Sequence, residues 1–116
     1  MMDLDNFDQT TVSFDEETGN LRIAGISMME DSLGFYAEIK NKIDAYFLNH
    51  SNSITVEFEL TYFNSSSAKQ FIQILSRLEN DKGNVLWKYP KGNTIMEDRG
   101  KELEILLDVS FEFIPV

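Results

Sequence analysis

Between Ile54 and Tyr62 the chain alternates without a break. Ile54, Val56, Phe58, Leu60 and Tyr62 are apolar, and Thr55, Glu57, Glu59 and Thr61 lie between them. Successive side chains of a strand point to opposite faces, so this run is a strand with one buried and one wet face. A strand covered on both faces would not carry Glu57 and Glu59 on one side. The sheet that contains it should therefore be packed by helices mainly on one face.

The flanking patterns agree. Leu33, Tyr36, Ile39, Ile43 and Phe47 (or Tyr46) recur at helical spacing, which predicts a helix from about Ser32 to Leu48. The polar run Asn49 to Ser53 ends it. Phe71, Ile72, Leu75 and Leu78 predict a second helix from about Ser67 to Glu79. Ser67 and Gln70 fit a capping box, so Ser67 is the expected N-cap, with Ser65 and Ser66 in the loop before it.

Further strands are expected at Val12–Phe14, at Leu21–Ile26 and at Val85–Tyr89. The first two form a hairpin through a turn in which Gly19 can take a positive φ. A last strand carries Leu107, Val109, Phe111 and Phe113, and a short helix from about Thr94 to Arg99 is ended by Gly100. Residues 1–10 read as an acidic, loosely ordered N-terminus, and residues 11–116 as a single domain.

The order is β-β-α-β-α-β-(α)-β. Helical crossovers imply parallel neighbours on a right-handed path. The fold class is α/β (α+β), with a single mixed sheet of about five strands and helices mainly on one face.

Composition narrows the chemistry. The chain has 116 residues, no cysteine, one histidine (His50) and a net charge of −10. Disulfides, thiolate metal sites and cysteine nucleophiles are excluded, and one histidine cannot build a His-rich metal site. Asp3, Asp5 and Asp8 lack the glycine and terminal glutamate of a calcium loop. No phosphate-binding glycine motif is present. An anionic surface repels phosphate backbones and anionic lipid heads, so nucleic-acid and membrane partners are disfavoured. No signal-like or membrane-length apolar run occurs, so a cytoplasmic protein is expected, without a cofactor and monomeric when free.

Two readings attach to Ser65-Ser66-Ser67. In the first, the serines simply cap the helix. Alternatively, one takes a phosphate where backbone N–H groups and the helix dipole favour negative charge. A phosphate would bring about −1.5 to −2 charges and three strong acceptors. Lys69 would partly neutralise it, whereas Glu30 and Asp31 would repel it. His50 lies at the opposite end of the strand from the serines, which argues against a serine hydrolase.

The run Leu60-x-Tyr62-Phe63-Asn64-Ser65-Ser66-Ser67-x-Lys69 resembles the signature of the SiaC family of bacterial regulatory phosphoproteins. Val12-x-Phe14-Asp15 with Gly19-x-Leu21-x-Ile23-x-Gly25-x-Ser27 also matches. So do Glu30 before Phe35-Tyr36, then Leu78-Glu79, Gly83-x-Val85, Trp87-x-Tyr89, and Glu97 with Gly100. The resemblance covers about Val12 to Phe113.

That resemblance implies a STAS-like fold and a non-enzymatic partner switch. A kinase would phosphorylate the hydroxyl after the motif Asn, and a PP2C-type phosphatase would remove it. The unphosphorylated form would activate a diguanylate cyclase, raising cyclic di-GMP and favouring biofilm. On this chain the switch hydroxyl is Ser65, with Ser66 and Ser67 as alternatives. The expected switch-loop and partner-binding set is Tyr62, Asn64, Ser66, Lys69, Glu30 and Tyr36. The chain departs from the family in three places: serine replaces the usual threonine, Met28-Met29-Glu30 stands for Tyr-Pro-Glu, and Gly92-Asn93 replaces an acidic pair. The competing expectation is a constitutive binding module, or an anti-sigma-antagonist-like regulator, that phosphorylation does not control.

Overall fold

A computed structural model describes the backbone of residues 2–6 and 9–116, with side chains from residue 9 onward. The acidic trio Asp3, Asp5 and Asp8 therefore lies outside the described side chains. The elements are β1 (Met2–Asn6), β2 (Thr10–Asp15), β3 (Asn20–Ser27), α1 (Ser32–Asn49), β4 (Ile54–Phe63), α2 (Ser65–Ser76), β5 (Gly83–Tyr89), α3 (Thr94–Ile105) and β6 (Ser110–Pro115). The described strands form one mixed sheet in the order β1-β2-β3-β4-β5-β6. β1, β2 and β3 pair antiparallel, and β3 to β6 pair parallel.

Each helix joins one parallel strand to its immediate neighbour, always in the same direction along the sheet. Right-handed crossovers of that kind place every helix on the same face. The register shows the result. Phe14, Leu21, Val56, Val85 and Phe111 form one row across the sheet, and Val12, Ile23, Phe58, Trp87 and Phe113 form the next. From Val12 to Trp87 these side chains are sealed beneath the helices. Phe111 and Phe113 remain half-buried on the edge strand β6.

The opposite face is wet, as the alternation required. Arg22 binds Glu57 at 3.0 Å and Glu59 at 3.1 Å, and Lys88 reaches Glu57 at 3.4 Å. Each glutamate faces a cation rather than its fellow carboxylate, which fits a solvated surface better than an acid–base pair. Such exposed ion pairs are screened and add little stability.

Four expectations shift. β1 adds a sixth strand within the stretch expected to be loosely held, paired from Met2↔Phe14 to Asn6↔Thr10. α2 begins at Ser65 rather than Ser67 and ends at Ser76. α3 does not stop at Gly100 but continues to Ile105. A Cβ on Gly100 would lie 2.5 Å from Nε1 and 2.6 Å from Cδ1 of Trp87, so this glycine permits a close approach rather than ending a helix. Because α3 is longer, Leu107 and Val109 fall before β6, which starts at Ser110.

Candidate functional site at the C-terminal ends of the parallel strands

Helices α1, α2 and α3 all begin at the same end of the sheet, where β3, β4 and β5 finish. Each is capped in the same way. Asp31 Oδ1 accepts from Gly34 N at 2.9 Å, Asn64 Oδ1 from Ser67 N at 2.9 Å, and Asn93 Oδ1 from Met96 N at 3.1 Å. Such caps satisfy backbone donors that have no partner within the helix. Open α/β sheets commonly place their sites at the carboxyl ends of the strands.

The N-cap of α2 is therefore Asn64 and not Ser67. Asn64 is extended (φ −89°, ψ 175°), and its own N–H donates to Ser27 O at 3.0 Å, tying the end of β4 to the end of β3. The expected capping box is absent. Gln70 Oε1 instead accepts from Lys40 Nζ at 2.6 Å, linking α2 to α1. Lys40 also donates to Gln73 Oε1 at 2.8 Å. Burial holds the Lys40 ammonium below its ordinary pKa, with nearby Arg77 acting in the same direction.

The three serines have three different environments. Ser67 is fully buried. Its hydroxyl donates to Ser27 O at 3.0 Å and accepts from Ser27 Oγ at 2.8 Å. Ser27 Oγ in turn lies 2.6 Å from the Tyr36 hydroxyl. One arrangement uses each proton once: Tyr36 donates to Ser27, Ser27 to Ser67, and Ser67 to the Ser27 carbonyl. Ser66 is half-buried and donates to Asn64 Oδ1 at 3.1 Å. Ser65 is exposed in the first turn, and among the described residues no side-chain hydrogen bond engages its hydroxyl.

The other expected site residues divide. Lys69 is exposed four residues after Ser65, on the same face of α2. Glu30 is exposed in the loop before α1. Tyr62 is 46% exposed at the end of β4. Tyr36 does not belong with them. It is 0% exposed, so it cannot touch a partner, and it acts as a prop for Ser27. Burial raises its phenol pKa far above the ordinary value, only partly offset by the bond to Ser27.

Arg99 was not among the expected residues. It projects from α3, donates to the Phe63 carbonyl, and places its guanidinium carbon 3.9 Å from the Phe63 ring centroid and 5.9 Å from that of Tyr62. Its partner is 36 positions away, and no local pattern could announce such a contact. Large apolar side chains also surround this end: Met28, Leu33, Tyr62 and Ile95 are exposed before or within the starts of α1, α2 and α3. Among the described residues no group of acidic or histidine side chains could hold a metal ion. His50 stacks on Tyr46 at the far end of α1, remote from the serines.

The model of SiaC family regulatory phosphoproteins matches residues 5–116. The chain belongs to that family. The likeness seen in the motif around Asn64 thus extends over nearly the whole of this chain. No curated protein matches by sequence. Among solved structures, one chain of the complex between the diguanylate cyclase SiaD and its activator SiaC, from Pseudomonas aeruginosa, superposes with a TM-score of 0.91 at 18% identity, covering 100% of both chains. SiaC of Pseudomonas aeruginosa superposes with a TM-score of 0.83 at 20% identity, over 97% of this chain and 99% of the other. Apo-SiaC from the same organism gives 0.78 at 17% identity, over 98% and 99%. These likenesses establish the shared fold. Among the described residues no helix is long and apolar enough to cross a membrane.

Proposed function

We propose that this chain is a non-enzymatic cytoplasmic switch, phosphorylated on Ser65 by a kinase and released by a PP2C-type phosphatase. Unphosphorylated, it binds and activates a diguanylate cyclase. One observation carries this reading: of the three serines, Ser65 is the exposed one whose hydroxyl has no structural duty. Asn64 already caps α2, Ser66 bonds to the cap, and Ser67 is locked in the core.

The local chemistry suits a phosphate. The amides of Ser65 and Ser66 have no carbonyl partner in the first turn of a helix, so they are available to an anion. Lys69 stands one turn away. The exposed apolar rim of Met28, Leu33, Tyr62 and Ile95 suits a protein partner, and added charge beside it would change affinity without refolding the domain. The cyclase as partner is supported by the SiaD–SiaC complex among the fold relatives. The absence of a histidine pair, a nucleotide loop and a metal cluster among the described residues is compatible with a role without turnover.

The test is cyclic di-GMP synthesis by the host's cyclase in the presence of wild-type protein, Ser65→Ala and Ser65→Asp. Wild type and Ser65→Ala should stimulate equally, while Ser65→Asp should lose binding by about two decades, a coupling within the usual range for switches. Equal stimulation by all three would favour the constitutive binding module instead.

A further inference from the structure

We infer that Arg99 is the residue that reads the phosphate on Ser65, leaving the Phe63 carbonyl to do so. The inference rests on Ser65 being the phosphorylated residue and adds a specific partner on another helix. Two observations carry it. First, of the three arginines, Arg22 and Arg77 pair with carboxylates, while among the described residues Arg99 does not. Among the described residues its guanidinium bonds only a neutral carbonyl, and it lies over aromatic rings. In a chain of net charge −10 an arginine left with neutral partners is a charge held in reserve.

Second, that carbonyl belongs to Phe63, two residues before Ser65. Two residues span at most about 7 Å of chain, so Ser65 and the fork share the junction between β4 and α2. Guanidinium binds phosphate with two parallel N–H donors, which a single carbonyl oxygen cannot match. The exchange therefore runs from the weaker acceptor to the stronger. Lys69 offers only a mobile point charge from α2 itself. Arg99 sits on α3, so its capture ties α3, with its exposed Ile95, to the phosphorylated end of α2.

The test installs phosphoserine at position 65 during translation, which makes it independent of any kinase. The phosphate is then titrated by phosphorus NMR. In otherwise wild-type protein its second pKa should lie below the ordinary value of about 6. Arg99→Gln should raise it by about one unit, and Lys69→Gln should move it less. A purely structural Arg99 would change the melting temperature of phosphorylated and unphosphorylated protein alike and leave the phosphate titration unmoved. A readout that needs no substitution is the Arg99 guanidinium N–H resonance, expected to shift downfield on phosphorylation. An unmoved resonance, or a titration that follows Lys69 and ignores Arg99, overturns the inference. Equal cyclase stimulation by all Ser65 variants would remove the switch reading but leave this titration intact, so the two failures are distinct.

Discussion

The two ends of the parallel strands are closed in different ways. At the N-terminal end the tight joints are backbone, with Thr55 Oγ1 to Asn84 Oδ1 and Asp108 N to Glu79 Oε2 as side-chain additions. Ile54 N donates to Lys82 O and Thr55 N to Gly19 O, each at 2.9 Å. Glycines occupy the tight points: a Cβ on Gly19 would lie 2.7 Å from Tyr46 Oη and 2.8 Å from Ser53 O. At the C-terminal end the joints are mostly side chains: the caps Asp31, Asn64 and Asn93, the Tyr36–Ser27–Ser67 chain, and Arg99 on Phe63. A backbone joint offers nothing for a modifying enzyme to alter. A side-chain joint can be altered one group at a time, so a switch is better placed at the second end.

The sharpest break of this contrast is Gly83→Ala. The new Cβ would meet the Ile54 backbone oxygen and lie 2.6 Å from Leu78 Cγ. Backbone cannot give way as a side-chain tip can, so the substitution should cost about 3 kcal/mol, the upper range for overpacking. Urea unfolding measures it. The folded fraction should still bind the partner normally, because the damage is at the other end.

Next comes Ser67→Ala, which removes the buried hydroxyl and adds nothing in its place. Ser27 Oγ loses its acceptor, and Ser27 O is left with the Asn64 N–H as its donor. The expected loss is about 2 kcal/mol, as for a buried polar group left unmatched. The same chain gives a pH test. An unfolded tyrosine releases its proton near pH 10.0, whereas folded Tyr36 holds its proton well above that. The unfolded state therefore sheds protons first, and stability falls as pH rises past 10.0. Tyr36→Phe should flatten that decline in alkaline unfolding curves.

The wet face of β4 and the three-helix layer could be read from sequence because each rests on local periodicity. What escaped was what depends on distant neighbours. Both Ser67/Gln70 and Asn64/Ser67 satisfy a capping pattern, and only the contact of Ser67 with Ser27, 40 positions away, decides between them. Gly100 looks like a helix terminator until Trp87 is seen against it. Tyr36 stands at a family-matched spacing, yet matched spacing does not separate a surface contact from a buried prop. β1 has no continuous apolar run, and its pairing follows from a neighbouring strand rather than from its own pattern.

Asn64→Ala tests the cap directly. Loss of one N-cap costs about 1 kcal/mol. Asn64→Asp should restore most of it, since a carboxylate can accept the same bond from Ser67 N. If stability is unaffected by Asn64→Ala, the side-chain joint at this end is weaker than its geometry indicates.

Ser65→Ala should have the smallest effect on stability, and this makes it the most discriminating. The residue is exposed and its hydroxyl has no partner among the described residues, so stability should move by no more than about 0.5 kcal/mol. Ser66→Ala, by contrast, gives up a bond to Asn64 Oδ1 and should lose somewhat more. Chemical denaturation of the two variants side by side ranks them. A hydroxyl that contributes nothing to the fold is free to be modified. If Ser65→Ala proves the costlier of the two, Ser65 has a structural duty, and the modified residue is to be sought at Ser66 instead.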